Sequence, residues 1–341
     1  MTISKKIRVL VVDDSLLFRE VLSRGISADP NIEVVAKAAD AFEARDKILK
    51  YQPDVMTCDI EMPKMSGIEF IKRLLPQYHL PVIVVSSVNE AVFDAMNAGA
   101  VDFVVKPDVR SSQSVGDFIG NLTSKIKIAS HASVAEAKSN YHGVILPGQN
   151  YNENNIIAIG ASTGGTEALY NILKVLPPTT PGIVIVQHIP PVFSAMFANR
   201  LNNQTQLQVK EAQTGDSVER GNVIIAPGDK HITVKKLGSR YKVECSGTEK
   251  VNGHCPSVDV LFESVAKAAG SSAVGVILTG MGYDGAKGLL AMRKAGARTI
   301  GQDEKSSVVY GMPKVAFDIG AVEKQASLEN IPDLIFSILK K

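Results

Sequence analysis

The chain has 341 residues, 45% hydrophobic and 21% charged, which is more than one ordinary core organises and excludes a disordered or fibrous polymer. Lys and Arg number 37 against 35 Asp and Glu, so the basic excess of a nucleic-acid binder is absent. Cys58, Cys245 and Cys255 fit neither a disulfide framework nor a zinc site, the amino terminus lacks a secretory cleavage motif, and no apolar run approaches the roughly 18 to 20 residues of a membrane helix. Free thiols, a cytoplasmic location, no membrane insertion and no nucleic-acid partner are the expectations.

IRVLVV (7–12) opens the pattern as a buried strand, and Leu16, Leu17, Val21 and Leu22 follow at helical spacing. VVAKAA, DVMTC (54–58), PVIVVS (81–86) and DFVVK (102–106) continue as short β-branched runs separated by amphipathic stretches. Such alternation predicts a parallel sheet covered on both faces, and five units suit a flavodoxin-like order. Val115, Phe118, Ile119, Leu122 and Ile126 predict one closing helix, giving a first domain over 5–128. Residues 129–154, ending in GQNYNENN, lack apolar periodicity and read as a linker.

A second alternating block occupies 155–341, with strands at IIAIG (156–160), GIVIVQH (182–188), NVIIAP (222–227), AVGVILTG (273–280) and RTIGQD (298–303). ITVKK and YKVEC flank Leu-Gly-Ser-Arg as a hairpin. The prediction is a second α/β domain, doubly wound and mostly parallel, with a small antiparallel hairpin.

In a doubly wound sheet the residues closing the strands converge on one edge. In the first domain these are Asp13, Asp14, Asp59, Ser86 and Lys106. Three carboxylates in one crevice repel unless a cation lies among them, and an all-oxygen site suits Mg²⁺. Singly, each residue is as readily a helix cap or a solvated charge. The set, with Asp59 in DIEMPKMSG and Lys106 in VVKP, resembles the receiver domain of two-component response regulators over about residues 5–127. The resemblance implies that Asp59 accepts phosphate, that Asp13 and Asp14 with Asp59 hold Mg²⁺, and that Ser86 and Lys106 are the switch pair. Ser87 follows Ser86 where a small residue is usual, and Phe103 stands where many receivers carry tyrosine.

In the second domain, IIAIG runs into Ala-Ser-Thr-Gly-Gly-Thr and a helical run. That junction admits three readings. A dinucleotide cradle lacks the G-x-G-x-x-G spacing. A tight turn would use Ser162 only as helix cap. A nucleophilic Ser162 needs a base and an orienting acid at other strand ends. His188 ends one strand and Asp284 follows another, in Met281-Gly-Tyr-Asp-Gly-Ala; His231 and His254 are competing histidines, and His254 could cap or line a cleft.

The segments IGASTGGTEAL, VQHIP, GHCPSVDVLF and LTGMGYDGAKGL together resemble the catalytic domain of the chemotaxis protein-glutamate methylesterases over about residues 155–340. A receiver joined ahead of it completes that family's architecture. The resemblance implies Ser162 as nucleophile, His188 as base and Asp284 as orienting acid, with Thr163 and the Met281 amide on the oxyanion side. It further implies methylated chemoreceptor helices as substrate, glutamine deamidation as a companion activity, a chemotaxis histidine kinase as phosphodonor, and a receiver that blocks the cleft until phosphorylated. No cofactor is expected in the catalytic domain, and the chain is expected to act as a monomer. Two other readings remain open: a phosphate- or nucleotide-binding module built on the glycines, and a hydrolase acting on a different signalling protein.

Overall fold

The computed structural model describes residues 5–87, 90–107, 115–133 and 154–340. The chain divides into two compact units, Met1–Ala137 and Lys138–Lys341. Of the expected linker, 134–153 lies outside the described residues.

The first unit alternates β1 (Ile7–Val12), α1 (Leu16–Ser27), β2 (Ile32–Ala38), α2 (Ala41–Tyr51), β3 (Val55–Cys58), α3 (Gly67–Leu74), β4 (Val82–Ser86), α4 (Ala91–Asn97), β5 (Asp102–Val105) and α5 (Val115–Ala129). Its five strands are parallel in the order β2-β1-β3-β4-β5. The order reverses at β1, which opens a crevice at the carboxyl ends of β1 and β3. Strands buried on both faces, such as β4 (Val82, Ile83, Val84 and Val85), explain why the sequence shows continuous apolar runs rather than alternation. The helix that the spacing of Leu16, Leu17, Val21 and Leu22 predicts is α1; Leu16 and Leu17 in its first turn are 67% and 76% exposed, and its buried residues are Leu22, Ser23 and Ile26.

The second unit runs β6 (Ile156–Ala161), α6 (Gly165–Leu173), β7 (Gly182–Gln187), α7 (Phe193–Gln204), β8 (Gln208–Glu211), β9 (Ser217–Val218), β10 (Asn222–Ile225), β11 (His231–Leu237), β12 (Arg240–Ser246), α8 (Val258–Ala269), β13 (Ala273–Ile277), α9 (Ala286–Lys294), β14 (Arg298–Gln302), α10 (Met312–Asp318), β15 (Lys324–Ala326) and α11 (Ile331–Leu339). Seven parallel strands lie in the order β15-β14-β13-β6-β7-β10-β8. The predicted hairpin is β11–β12, and it gains β9 as a third antiparallel strand. Ile232, Val234, Tyr241 and Val243 of that hairpin share one core with Val258, Leu261, Phe262 and Val265 of α8. Burial of a side chain such as Phe262 stabilises the fold by roughly 1.5–3 kcal/mol relative to exposure, so the hairpin anchors α8 and therefore its amino-terminal end. No described helix is long and apolar enough to cross a membrane.

Candidate active site

The acidic crevice of the first unit is assembled as the strand ends require. Oxygen atoms of Asp13, Asp14 and Asp59 lie within 4.8 Å of one another. The α1 N-cap is Ser15, whose Oγ accepts from Phe18 N at 3.3 Å, so neither Asp13 nor Asp14 serves as the helix cap. Lys106 Nζ reaches Asp59 Oδ2 at 2.6 Å and Asp13 Oδ2 at 2.8 Å. Burial pushes the Asp59 carboxyl above its ordinary range, and Lys106 offsets only part of that push. For Lys106, burial opposes the charge, yet the two carboxylates outweigh it and raise the ammonium's pKa. Ser86 Oγ is buried at the end of β4 with no partner among the described residues, while Ser87 is exposed. Phe103 is buried and stands edge-on to Phe93, with ring centroids 6.5 Å apart. Three hard oxygen donors in one small crevice fit a divalent cation, whose charge would relieve their mutual repulsion.

In the second unit, the three strands that lead to Asp284, Ser162 and His188 are direct neighbours: β13, β6 and β7. Ala161 pairs with Gln187, so Ser162 and His188 are the first residues past two adjacent strands, and His188 N donates to Ala161 O at 3.1 Å. Ser162 N donates to Thr279 O at 3.0 Å, which ties the same turn to the strand on its other side. The α6 N-cap is Gly164, in the left-handed region at φ 77°, and it makes no side-chain cap bond. Ser162 is therefore not a helix cap, which removes the tight-turn reading. Gly280 must be glycine, because a Cβ there would stand 2.6 Å from Ser162 Cβ.

His188 Nε2 lies 2.9 Å from Asp284 Oδ2. The Asp284 carboxylate is buried and further accepts from Ser257 Oγ at 2.7 Å, Val258 N at 2.7 Å, Asn252 Nδ2 at 2.8 Å and Asp259 N at 3.3 Å. Three of those donors belong to Ser257, Val258 and Asp259, so the carboxylate caps the positive end of α8. Burial pushes the Asp284 carboxyl up, but the bonds from His188, Asn252 and Ser257 outweigh it and hold it well below the ordinary range. Asp284 is thus a fixed anion, and an anion at Nε2 selects the imidazole tautomer that carries its proton there. Nδ1 is then the basic nitrogen, buried and without a partner among the described residues. Ser162 Oγ makes no hydrogen bond to a described residue. The acid and the base are joined, while the serine-to-base bond is open, as is common before substrate binds. Thr163 is buried, and its carbonyl accepts from Thr279 Oγ1 at 3.0 Å. Met281 is 38% exposed in the loop between Gly280 and Asp284.

Sequence reading missed three supporting residues. Gln187 is buried, and its Nε2 donates to the carbonyls of both Ser162, at 2.9 Å, and His188, at 3.1 Å. Its Oε1 fills the space beside Gly165, where a Cβ would come within 2.2 Å. Asn252 Nδ2 bridges Asp284 to Asp259 Oδ2, at 2.7 Å from the latter. Ser257 is fully buried against Asp284. The signal for Asn252 was the Asn-Gly pair of a tight turn; Gln187 reads simply as part of a strand. His231, the other competing histidine, is structural: Nε2 meets Glu249 O at 2.7 Å, and Nδ1 accepts from Ser257 N at 3.1 Å. His254 stacks on His188, with ring centroids 3.8 Å apart and planes 8° from parallel.

Residues 157–335 match the family model described as CheB methylesterase, and residues 9–112 match that of the response regulator receiver domain. The chain is 57% identical over 338 residues to a protein-glutamate methylesterase/protein-glutamine glutaminase 2 of Syntrophomonas wolfei, covering 99% of each. It is 48% identical over 350 residues to a protein-glutamate methylesterase/protein-glutamine glutaminase of Syntrophotalea carbinolica, again covering 99% of each. Among solved structures, the CheB methylesterase catalytic domain of Thermotoga maritima is similar, at 37% identity and a TM-score of 0.53, covering 54% of this chain and 98% of that one.

Proposed function

The chain belongs to the CheB methylesterase family and carries a response regulator receiver domain ahead of the catalytic one, and from that premise we propose that it hydrolyses glutamate methyl esters on chemoreceptors in the cytoplasm under the control of receiver phosphorylation. The observation that carries the reading is the join of His188 Nε2 to a multiply anchored Asp284 beside a serine turn whose side chain is not spent on capping.

In the acylation half, His188 Nδ1 takes the proton of Ser162 Oγ as the oxygen bonds to the ester carbon. Asp284 holds the proton at Nε2 and balances the imidazolium. The tetrahedral oxyanion forms at the amino end of α6, where the helix dipole favours it and where Thr163 and the Met281 amide are the assigned donors. As the carbon–oxygen bond to the methoxy group breaks, His188 returns its proton and methanol leaves. Water then gives a proton to His188 and its oxygen to the acyl carbon; Ser162 departs reprotonated, leaving a free glutamate. General-base help of this kind contributes about 10²- to 10⁴-fold, and each oxyanion donor about 10²- to 10³-fold. A glutamine amide forms the corresponding tetrahedral species, with an amino group in place of methoxy, takes the His188 proton as ammonia leaves, and joins the same acyl-enzyme, which supports the companion deamidase activity.

In the receiver, Asp13, Asp14 and Asp59 would hold Mg²⁺, whose charge lets a dianionic phosphoryl group approach a carboxylate. Asp59 is the acceptor, its carboxylate already held by Lys106. The new phosphate adds acceptors within reach of Lys106 and of Ser86, whose buried hydroxyl has no partner among the described residues; their movement alters the receiver's surface and raises turnover in the catalytic domain. A chemotaxis histidine kinase is the phosphodonor on this reading, and the chain acts as a monomer.

The test is product identity. Mass spectrometry of receptor peptides after incubation with the phosphorylated protein should find glutamyl methyl esters converted to glutamate, and Ser162→Ala should leave them esterified. Equal conversion by the two proteins would overturn the assignment.

A further inference from the structure

One hydrogen bond fixes one point of a ring. The bond from His188 to Asp284 still allows the imidazole to tilt about the line joining its Cβ to the carboxylate, and a base that tilts by an ångström no longer meets the serine. A second restraint acts on the ring's plane. His254 lies flat against His188, 3.8 Å between centroids and within 8° of parallel, a separation at which any tilt of one ring drives it into the other.

The delivery of His254 is equally specific. Val251 and His254 bond reciprocally through their backbones, at 2.9 and 3.0 Å. The two residues between them are Asn252 and Gly253, both at positive φ, 54° and 82°, which is the tight-turn geometry that Asn-Gly favours. Asn252 uses its side chain to hold Asp284 and Asp259. A single four-residue turn therefore supports the base twice: through Asn252 to the carboxylate at its edge, and through His254 to its face.

We propose that His254 is a positioning residue for the reaction, fixing the plane of the His188 imidazole so that Nδ1 is presented to Ser162. The charged and titratable groups facing the stacked pair are Asp284, Lys250 and, through Asn252, Asp259. Burial and the neighbouring His188 hold His254 down to about 4, so it is neutral near pH 7 and offers no like charge when His188 takes a proton.

The inference rests on the esterase reading, and the experiment separates the two. Full-length protein, treated with acetyl phosphate and Mg²⁺, is assayed for methanol release from methylated receptor membranes as wild type, Ser162→Ala, His254→Leu, His254→Asn and His254→Phe. Leu and Asn, which lack a ring, should lower kcat roughly 10- to 100-fold with KM changed less than about threefold, whereas Phe, which keeps a flat face, should return kcat to within about threefold of wild type. Nitrogen-15 spectra of His188 give a readout independent of turnover: one tautomer, protonated at Nε2, in wild type and Phe, and averaging in Leu and Asn. Thermal unfolding establishes that each variant is folded, and Asn stands in should Leu not fold. Wild-type turnover in the ringless variants, or a folded Phe variant no better than they are, overturns the role of His254. Turnover that survives Ser162→Ala overturns the esterase reading instead.

Discussion

Replacing Asp284 by asparagine tests the electrostatic core of the catalytic site with the smallest change of shape. The carboxylate accepts five hydrogen bonds, Oδ2 from His188 Nε2 and Val258 N and Oδ1 from Asn252, Ser257 and Asp259 N. An amide can accept at only one of its two ends. With its NH₂ in the Oδ2 position, it faces the Val258 N–H and forces His188 to accept at Nε2, which moves the imidazole proton to Nδ1 and removes the base. Turned the other way, it keeps the His188 bond but opposes the Asn252 amide and the Asp259 N–H. A wrong tautomer in a triad costs about 10⁴-fold in kcat. The lost charge-assisted bonds cost about 1.5–3 kcal/mol each, so two of them amount to about 3–6 kcal/mol of stability. Methanol release under saturating phosphodonor measures the first, and urea unfolding the second. A folded Asp284→Asn protein within tenfold of wild-type kcat would refute the tautomer argument.

Gln187→Leu keeps the bulk of the strand-end side chain but removes the donor shared by the Ser162 and His188 carbonyls; kcat for methanol release should fall about 10- to 100-fold with KM little changed. Asp59→Asn should abolish stimulation by phosphodonor, and a chelator should do the same to wild type, with turnover in both remaining at the unstimulated level. Because His254 has a folded pKa of about 4 against an ordinary 6.5, the unfolded chain gains that proton first, and stability falls as pH drops from about 6.5 to about 4. In His254→Phe the denaturant-measured slope in that window should be shallower by up to about 1.4 kcal/mol per pH unit.

The alternation of buried strands and helices was legible because parallel strands covered on both faces must be continuously apolar, as in IRVLVV and GIVIVQH. The position of Ser162, His188 and Asp284 past such runs was legible for the same reason, since strand ends of one sheet share an edge. β8, β9 and β15 were not: they are edge strands of four, two and three residues that bury little, and no apolar run marks them. The spacing of Leu16 and Leu17 reports the helix, but spacing alone does not show that both side chains face solvent. Gln187 and Asn252 were invisible as site residues because their role is set by what the fold brings to them: two carbonyls from one edge in one case, and a carboxylate 32 positions away in the other.

The measurement closest to the central claim is methanol release from methylated receptor membranes by the intact chain, with and without acetyl phosphate and Mg²⁺, alongside Ser162→Ala. Release that rises with phosphodonor and disappears in the serine variant is the predicted result. Release that ignores the phosphodonor, or that persists in Ser162→Ala, would contradict a phosphorylation-controlled serine hydrolase.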